Sequence, residues 1–130
     1  MEIKEGLNTP YVKLDKENCA LTFVGKSYPD HSESFYTPIA KEVEECKESL
    51  TNSKITINIS LEILNSISTK SLFQLIKDLY EYSMGTEVNW YYEEDDENML
   101  EEGCDLKELL PKAKFNLISV KDLRKVEGLT

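Results

Sequence analysis

Catalytic side chains are scarce in this 130-residue chain. Its one histidine, His31, stands beside Asp30 and close to Pro29, in a stretch that reads as a loop. A zinc site therefore has almost no ligands to draw on. A Ser–His–Asp triad would have to use that histidine, and Ser27, Ser32 and Ser34 lack the G-x-S-x-G setting of a hydrolase nucleophile. The three cysteines, Cys19, Cys46 and Cys104, are odd in number, far apart and without a C-x-x-C pair. They read as reduced, core-filling thiols of a cytosolic protein. With five glycines, neither G-x-G-x-x-G nor the Walker pattern occurs, so no glycine loop cradles a phosphate. Nowhere do 18 apolar residues run uninterrupted, and no apolar run follows the start, so neither a membrane span nor a signal peptide is expected.

Positive charge is short too. Fifteen Lys and Arg against 25 Asp and Glu leave a net charge of −10, which repels nucleic acid and anionic membrane surfaces alike. Such a balance favours solubility, or a basic partner surface. An apolar fraction of 40% with 31% charged residues fits a globular chain of one domain over 1–130, large enough for a core without metal or disulfide support. The polar end, 121–130, is expected to fray.

What the chain does have is alternation. Tyr11, Val12 and Leu14, then Leu21, Phe23 and Val24, predict a strand pair, with a short strand over 3–7 also compatible. Thr37-Pro38 predicts an N-cap followed by proline at the first helical position, and Ile39, Val43, Cys46 and Leu50 give that helix one buried stripe ending near Thr51-Asn52. Residues 54–64 alternate Ile55, Ile57, Ile59, Leu61 and Ile63 with polar neighbours, the clearest strand in the sequence. Leu72, Leu75, Ile76 and Leu79 mark a second helix, stopping at Ser83-Met84-Gly85 with glycine as a left-handed cap. A strand over 86–92 follows, with Val88 and Trp90 on one side and Asn89 and Tyr91 on the other. Met99 and Leu100 open a third helix that Gly103 is expected to interrupt, and Phe115, Leu117, Ile118 and Val120 form a last strand. Helices alternating with strands imply an α/β domain with a sheet that is at least partly parallel.

Two stretches invite a functional reading. In Asn65-Ser66-Ile67-Ser68-Thr69-Lys70, three hydroxyls gather where a helix should begin, and helix N-termini favour anions. The plainer reading is that one hydroxyl is an N-cap. The acidic run Glu93-Glu94-Asp95-Asp96-Glu97 could hold a cation or supply an acid/base pair, making the chain a small acidic metal-binding enzyme. Five consecutive carboxylates lack the alternate-residue spacing of a calcium loop, and a solvated, helix-initiating surface explains them as well. Of Trp90, Tyr91 and Tyr92, whichever ring points outward would be an exposed aromatic beside a charged rim, a frequent binding anchor.

The string Asn89-Trp90-Tyr91-Tyr92-Glu93-Glu94-Asp95-Asp96-Glu97-Asn98-Met99-Leu100-Glu101-Glu102-Gly103 resembles the signature of the SiaC family of bacterial regulatory phosphoproteins. Thr9-Pro10, Gly25-Lys26-Ser27-Tyr28-Pro29, Phe35-Tyr36-x-Pro38 and Ser68-Thr69-Lys70 resemble it in the same order, up to about Val120. The resemblance implies a single STAS-like domain with a central mixed β-sheet and flanking helices. It implies no catalysis and no cofactor, but a cytoplasmic partner-switching circuit. That circuit contains a Ser/Thr kinase of the histidine-kinase-like ATPase type, a PP2C-type phosphatase and an effector, in the characterised branch a diguanylate cyclase that promotes biofilm growth through cyclic di-GMP. The family's phosphoacceptor falls on Thr69. Ile67 stands where relatives often carry a small or hydroxyl residue, which keeps Ser68 and Ser66 as alternates. The expected partner-binding set is Asn65, Ser66, Ser68, Thr69, Lys70, Trp90, Tyr91 and Tyr92.

Overall fold

The computed structural model describes residues 1–30, 32–50, 54–83 and 85–126. His31, the expected helix end at Thr51-Asn52, Met84 and the last four residues lie outside them. Six strands form one sheet in chain order: β1 (Glu2–Ile3), β2 (Tyr11–Asp15), β3 (Ala20–Ser27), β4 (Thr56–Leu64), β5 (Glu87–Glu93) and β6 (Lys114–Val120). The first two pairings are antiparallel and the last three parallel. Between the parallel strands run α1 (Ser32–Glu45) with the short α2 (Lys47–Leu50), then α3 (Ser66–Tyr82), then α4 (Glu97–Leu109). Right-handed crossovers that always advance in one direction place these helices on one face of the sheet.

That face is the core. Phe23, Ile57, Ile59, Leu61, Val88 and Trp90 are sealed against Tyr36 and Ile39 of α1 and Leu72, Ile76 and Leu79 of α3. The alternation of β4 is thus the alternation of a sheet covered on one side. On the other side the in-register Thr22, Asn58, Asn89 and Asn116 form a polar row of one hydroxyl and three amides. Asn58 donates to Thr22 Oγ1 at 3.3 Å, and Asn89 to Asn58 Oδ1 and Asn116 to Asn89 Oδ1 at 3.0 Å. Asn116 also donates to Glu87 Oε2 at 2.9 Å, and this bond, with Lys114 beside it, holds the Glu87 carboxyl below its ordinary value.

Four expectations are corrected. The first helix begins at Ser32, not at Thr37, and Pro38 lies inside it. The extension buries Tyr36 at the i−3 position from Ile39, and exposed Ser34, whose carbonyl has no N–H from residue 38 to accept, faces solvent. α3 ends on Ser83 in extended conformation, so Gly85 is no left-handed cap; among the described glycines only Gly25 has positive φ, where the β3–β4 register shifts. α4 runs unbroken through Gly103. The tail is tied down through Val126: a 3-10 turn (Leu123–Lys125) buries Leu123, whose N–H donates to Glu93 Oε2, while Arg124 Nε donates to Glu62 Oε1 at 3.1 Å.

This turn packs against β4 and β5 and helps seal Ser60, which is 1% exposed with its hydroxyl unpartnered. An unpaired buried hydroxyl costs about 1–3 kcal/mol. Ser60→Ala is therefore expected to raise the melting temperature by roughly 4–10 °C. A fall of similar size in a calorimetric scan would mean that the hydroxyl is hydrogen-bonded in solution.

Candidate functional site at the β4–α3 corner

The hydroxyl-rich stretch is the first turn of α3 rather than a loop before it. Asn65, not a hydroxyl, is the N-cap: its side chain accepts from the Ser68 N–H at 2.9 Å. Its own amide donates to Ser27 O at 3.1 Å and its Nδ2 to Pro29 O at 3.4 Å, lacing the corner to the end of β3. The first intrahelical bond runs from Thr69 N to Asn65 O at 3.0 Å. The amides from Thr69 onward therefore belong to the helix ladder, and the helix end open to an anion is at Ser66 and Ile67.

The three hydroxyls have different surroundings. Ser68 is fully buried; its Oγ accepts from Ser27 Oγ at 2.9 Å, and Ser27 Oγ lies 2.7 Å from Tyr36 OH. Burial pushes the Tyr36 phenol up, the two serines opposing it. Contrary to expectation, Ser68 is a structural residue: with no exposed surface, its hydroxyl can reach neither a kinase nor a partner. Ser66 is exposed at the first helical position. Thr69 is half-buried: its Oγ1 donates to Asn65 O at 3.1 Å and, more weakly, toward Glu102 Oε2 of α4 at 3.4 Å. Lys70 is exposed alongside.

The aromatic part of the expected set does not join this corner as a unit. Trp90 is fully buried, its Nε1 donating to Met99 O at 3.0 Å, and cannot touch a partner. Tyr92 packs partly against the same core, and Tyr91 lies half-buried on the open face. The acidic run is divided among separate tasks: Glu93 ends β5 and accepts from Leu123, Asp96 caps α4 by accepting from Met99 N at 3.1 Å, and Glu94 and Asp95 are exposed. No cluster of three or more His, Cys, Asp or Glu able to hold a metal occurs among the described residues, and none of their helices is long and apolar enough to cross a membrane.

Ser27, Tyr36 and Glu102 stand in the sequence only within motifs, with no role at this corner assigned to them. For Ser68 a signal existed: it stands four residues before Leu72, on the buried stripe of the helix. Glu102 gave none, because its contact with Thr69 is made across two helices.

Fold and corner define a class first: a mixed α/β domain whose accessible chemistry is hydroxyl groups at the junction of its central strand and the following helix. The chain belongs to the SiaC family of regulatory phosphoproteins, whose model matches residues 3–120. Its fold is similar to a chain in the crystal structure of diguanylate cyclase SiaD in complex with its activator SiaC from Pseudomonas aeruginosa, with a TM-score of 0.74 and 22% identity over 92% of this chain and 97% of that one. Apo-SiaC of the same organism matches with a TM-score of 0.73 and 20% identity, over 92% and 96%. Comparison with curated proteins gives no match.

Proposed function

We propose that this protein is a non-enzymatic signalling switch whose Thr69 accepts a phosphate and so changes its binding to an effector, a diguanylate cyclase in a cyclic di-GMP and biofilm circuit. The observation that carries the reading is the division of hydroxyls at the corner. Of the three, Ser68 is sealed and Ser66 lies exposed at the first helical position, while Thr69 stands partly open on the α3 surface with its hydroxyl between Asn65 and Glu102. The solved complex of a protein similar in fold with a diguanylate cyclase supports the choice of effector. A cytoplasmic Ser/Thr kinase of the histidine-kinase-like ATPase type transfers the γ-phosphoryl group of ATP to Thr69 Oγ1, which loses its proton, and a PP2C-type phosphatase returns the hydroxyl by hydrolysis.

The unmodified form docks and the phosphorylated form releases. Nothing in the core needs to break, because the Thr69 hydroxyl bonds to Asn65 O and Glu102 Oε2 and takes no part in the sealed Ser27–Tyr36–Ser68 cluster. Intact-mass measurement after incubation with the kinase tests the site: wild type gains one phosphate and Thr69→Ala none. Labelling of Thr69→Ala to the wild-type extent would move the acceptor to Ser66 or elsewhere.

A further inference from the structure

We infer that the furrow between α3 and α4 is the effector-docking surface, and that its occupant is an acidic amphipathic helix. Both helices cross between parallel strands in the same sense, so they run parallel to each other. At one end of the furrow Thr69 meets Glu102. At the other is a groove of about 280 Å³ whose apolar wall is Phe73, Tyr80, Leu109 and Ala113, with Lys77 and Lys112 also lining it. Thr69, Phe73, Lys77 and Tyr80 follow at i, i+4, i+8 and i+11 on one stripe of α3, and Glu102 and Leu109 are seven residues apart on α4. Phe73 is one turn and Lys77 two turns from Thr69, about 6 and 12 Å along the axis.

Three features define the occupant. Leu109 is 64% exposed, a large apolar side chain left to solvent beside a pocket. The groove is open along one side and walled by side chains of α3 and of the end of α4, a shape that suits anchoring side chains of a protein segment. On a chain of net charge −10, its charged lining is Lys77 and Lys112, and neither has an ion-pair partner among the described residues. Three other surface grooves each include a carboxylate: Asp78 in one, Glu5 and Glu62 in the second, Glu2, Asp15 and Glu17 in the third. Apolar anchors with acidic flanks therefore complement this groove and not those.

The biological occupant rests on the effector reading above, but the test does not. Two fluorescein-labelled 20-residue amphipathic helices with the same leucine stripe, one with glutamates on its polar face and one with lysines, are titrated by anisotropy against the unphosphorylated protein. The glutamate helix is expected to bind saturably and to weaken as salt rises. Leu109→Ser should weaken it about tenfold, and Lys77→Glu with Lys112→Glu should weaken it similarly while admitting the lysine helix. All three positions border solvent, and circular dichroism checks that each variant folds. Tighter binding of the lysine helix to the wild type, binding indifferent to these substitutions, or no binding of either helix overturns the inference. Because Thr69 is neither modified nor replaced, each of those results leaves the phosphorylation switch standing, and an unlabelled Thr69 leaves the peptide result standing.

Discussion

Gly103→Ala should destabilise the protein by about 1–3 kcal/mol and lower its melting temperature by roughly 4–10 °C, although alanine is the better helix former. In an exposed helix the exchange would gain about 1 kcal/mol. Here an added Cβ would sit 2.6 Å from Trp90 Cδ1 and 2.7 Å from both Trp90 Nε1 and Leu117 Cδ2. The indole has little freedom to retreat: it is fully buried, packed near Phe115 at 6.2 Å between ring centroids, and hydrogen-bonded to Met99 O on the turn of α4 that precedes Gly103. Relief must come from lifting α4 off the sheet, which stretches that bond and opens the core beside it. Trp90 is the only tryptophan, so its emission reports the change directly. Unchanged emission together with a raised melting temperature would show that the sheet yields instead. Gly103 also neighbours Glu102, so an outward shift of α4 disturbs the contact with Thr69.

This glycine marks the boundary of what the sequence shows. The pattern rules find β4, because five β-branched or leucine residues at period two have only one reading, and they place Leu72, Leu75, Ile76 and Leu79 on the buried side of α3. They place Val88 and Trp90 together on one face of β5 as well. They fail where a residue serves a tertiary purpose against its local tendency. Gly103 reads as a helix breaker but is there to let a helix approach an indole. Pro38 reads as a helix start, yet the buried Tyr36 draws the helix back to Ser32. Asn65 reads as part of a polar turn, and its capping role depends on where the backbone of β4 leaves it.

The same division applies at the site. The cluster of hydroxyls was legible, but their separate fates were not read, even though Ser68 falls on the heptad-like stripe that ends at Leu79. Trp90 looked like a binding anchor because composition cannot distinguish a buried aromatic from an exposed one; alternation with Tyr91 gives the two faces, and only the packing of α4 tells which is covered. The Thr69–Glu102 contact joins residues 33 apart on different helices, and no local rule reaches it.

That contact sets the size of the second large effect, on effector binding. Thr69→Asp is expected to weaken effector binding by about ten- to a hundredfold, and Thr69→Ala by no more than about threefold. A phosphate at Thr69 brings about −1.5 to −2 charges to a point where Glu102 Oε2 already lies 3.4 Å from the hydroxyl. Two unit charges about 4 Å apart repel by about 4 kcal/mol at an effective dielectric of 20, and partial exposure of both side chains reduces that to about 1–2 kcal/mol. Either Glu102 swings away and alters the α4 wall of the furrow, or the added charge acts directly on an acidic segment docked beside Phe73 and Lys77. A double-mutant cycle separates the two routes. If Glu102 transmits the effect, Thr69→Asp with Glu102→Gln recovers most of the lost affinity; if the charge acts on the partner itself, the two substitutions add independently. The direct route also demands that the loss shrink as salt rises, because a Debye length of about 8 Å at physiological ionic strength falls to about 3 Å at 1 M. Equal affinity of Thr69→Asp and wild type for the effector at low salt would remove Thr69 from the switch altogether.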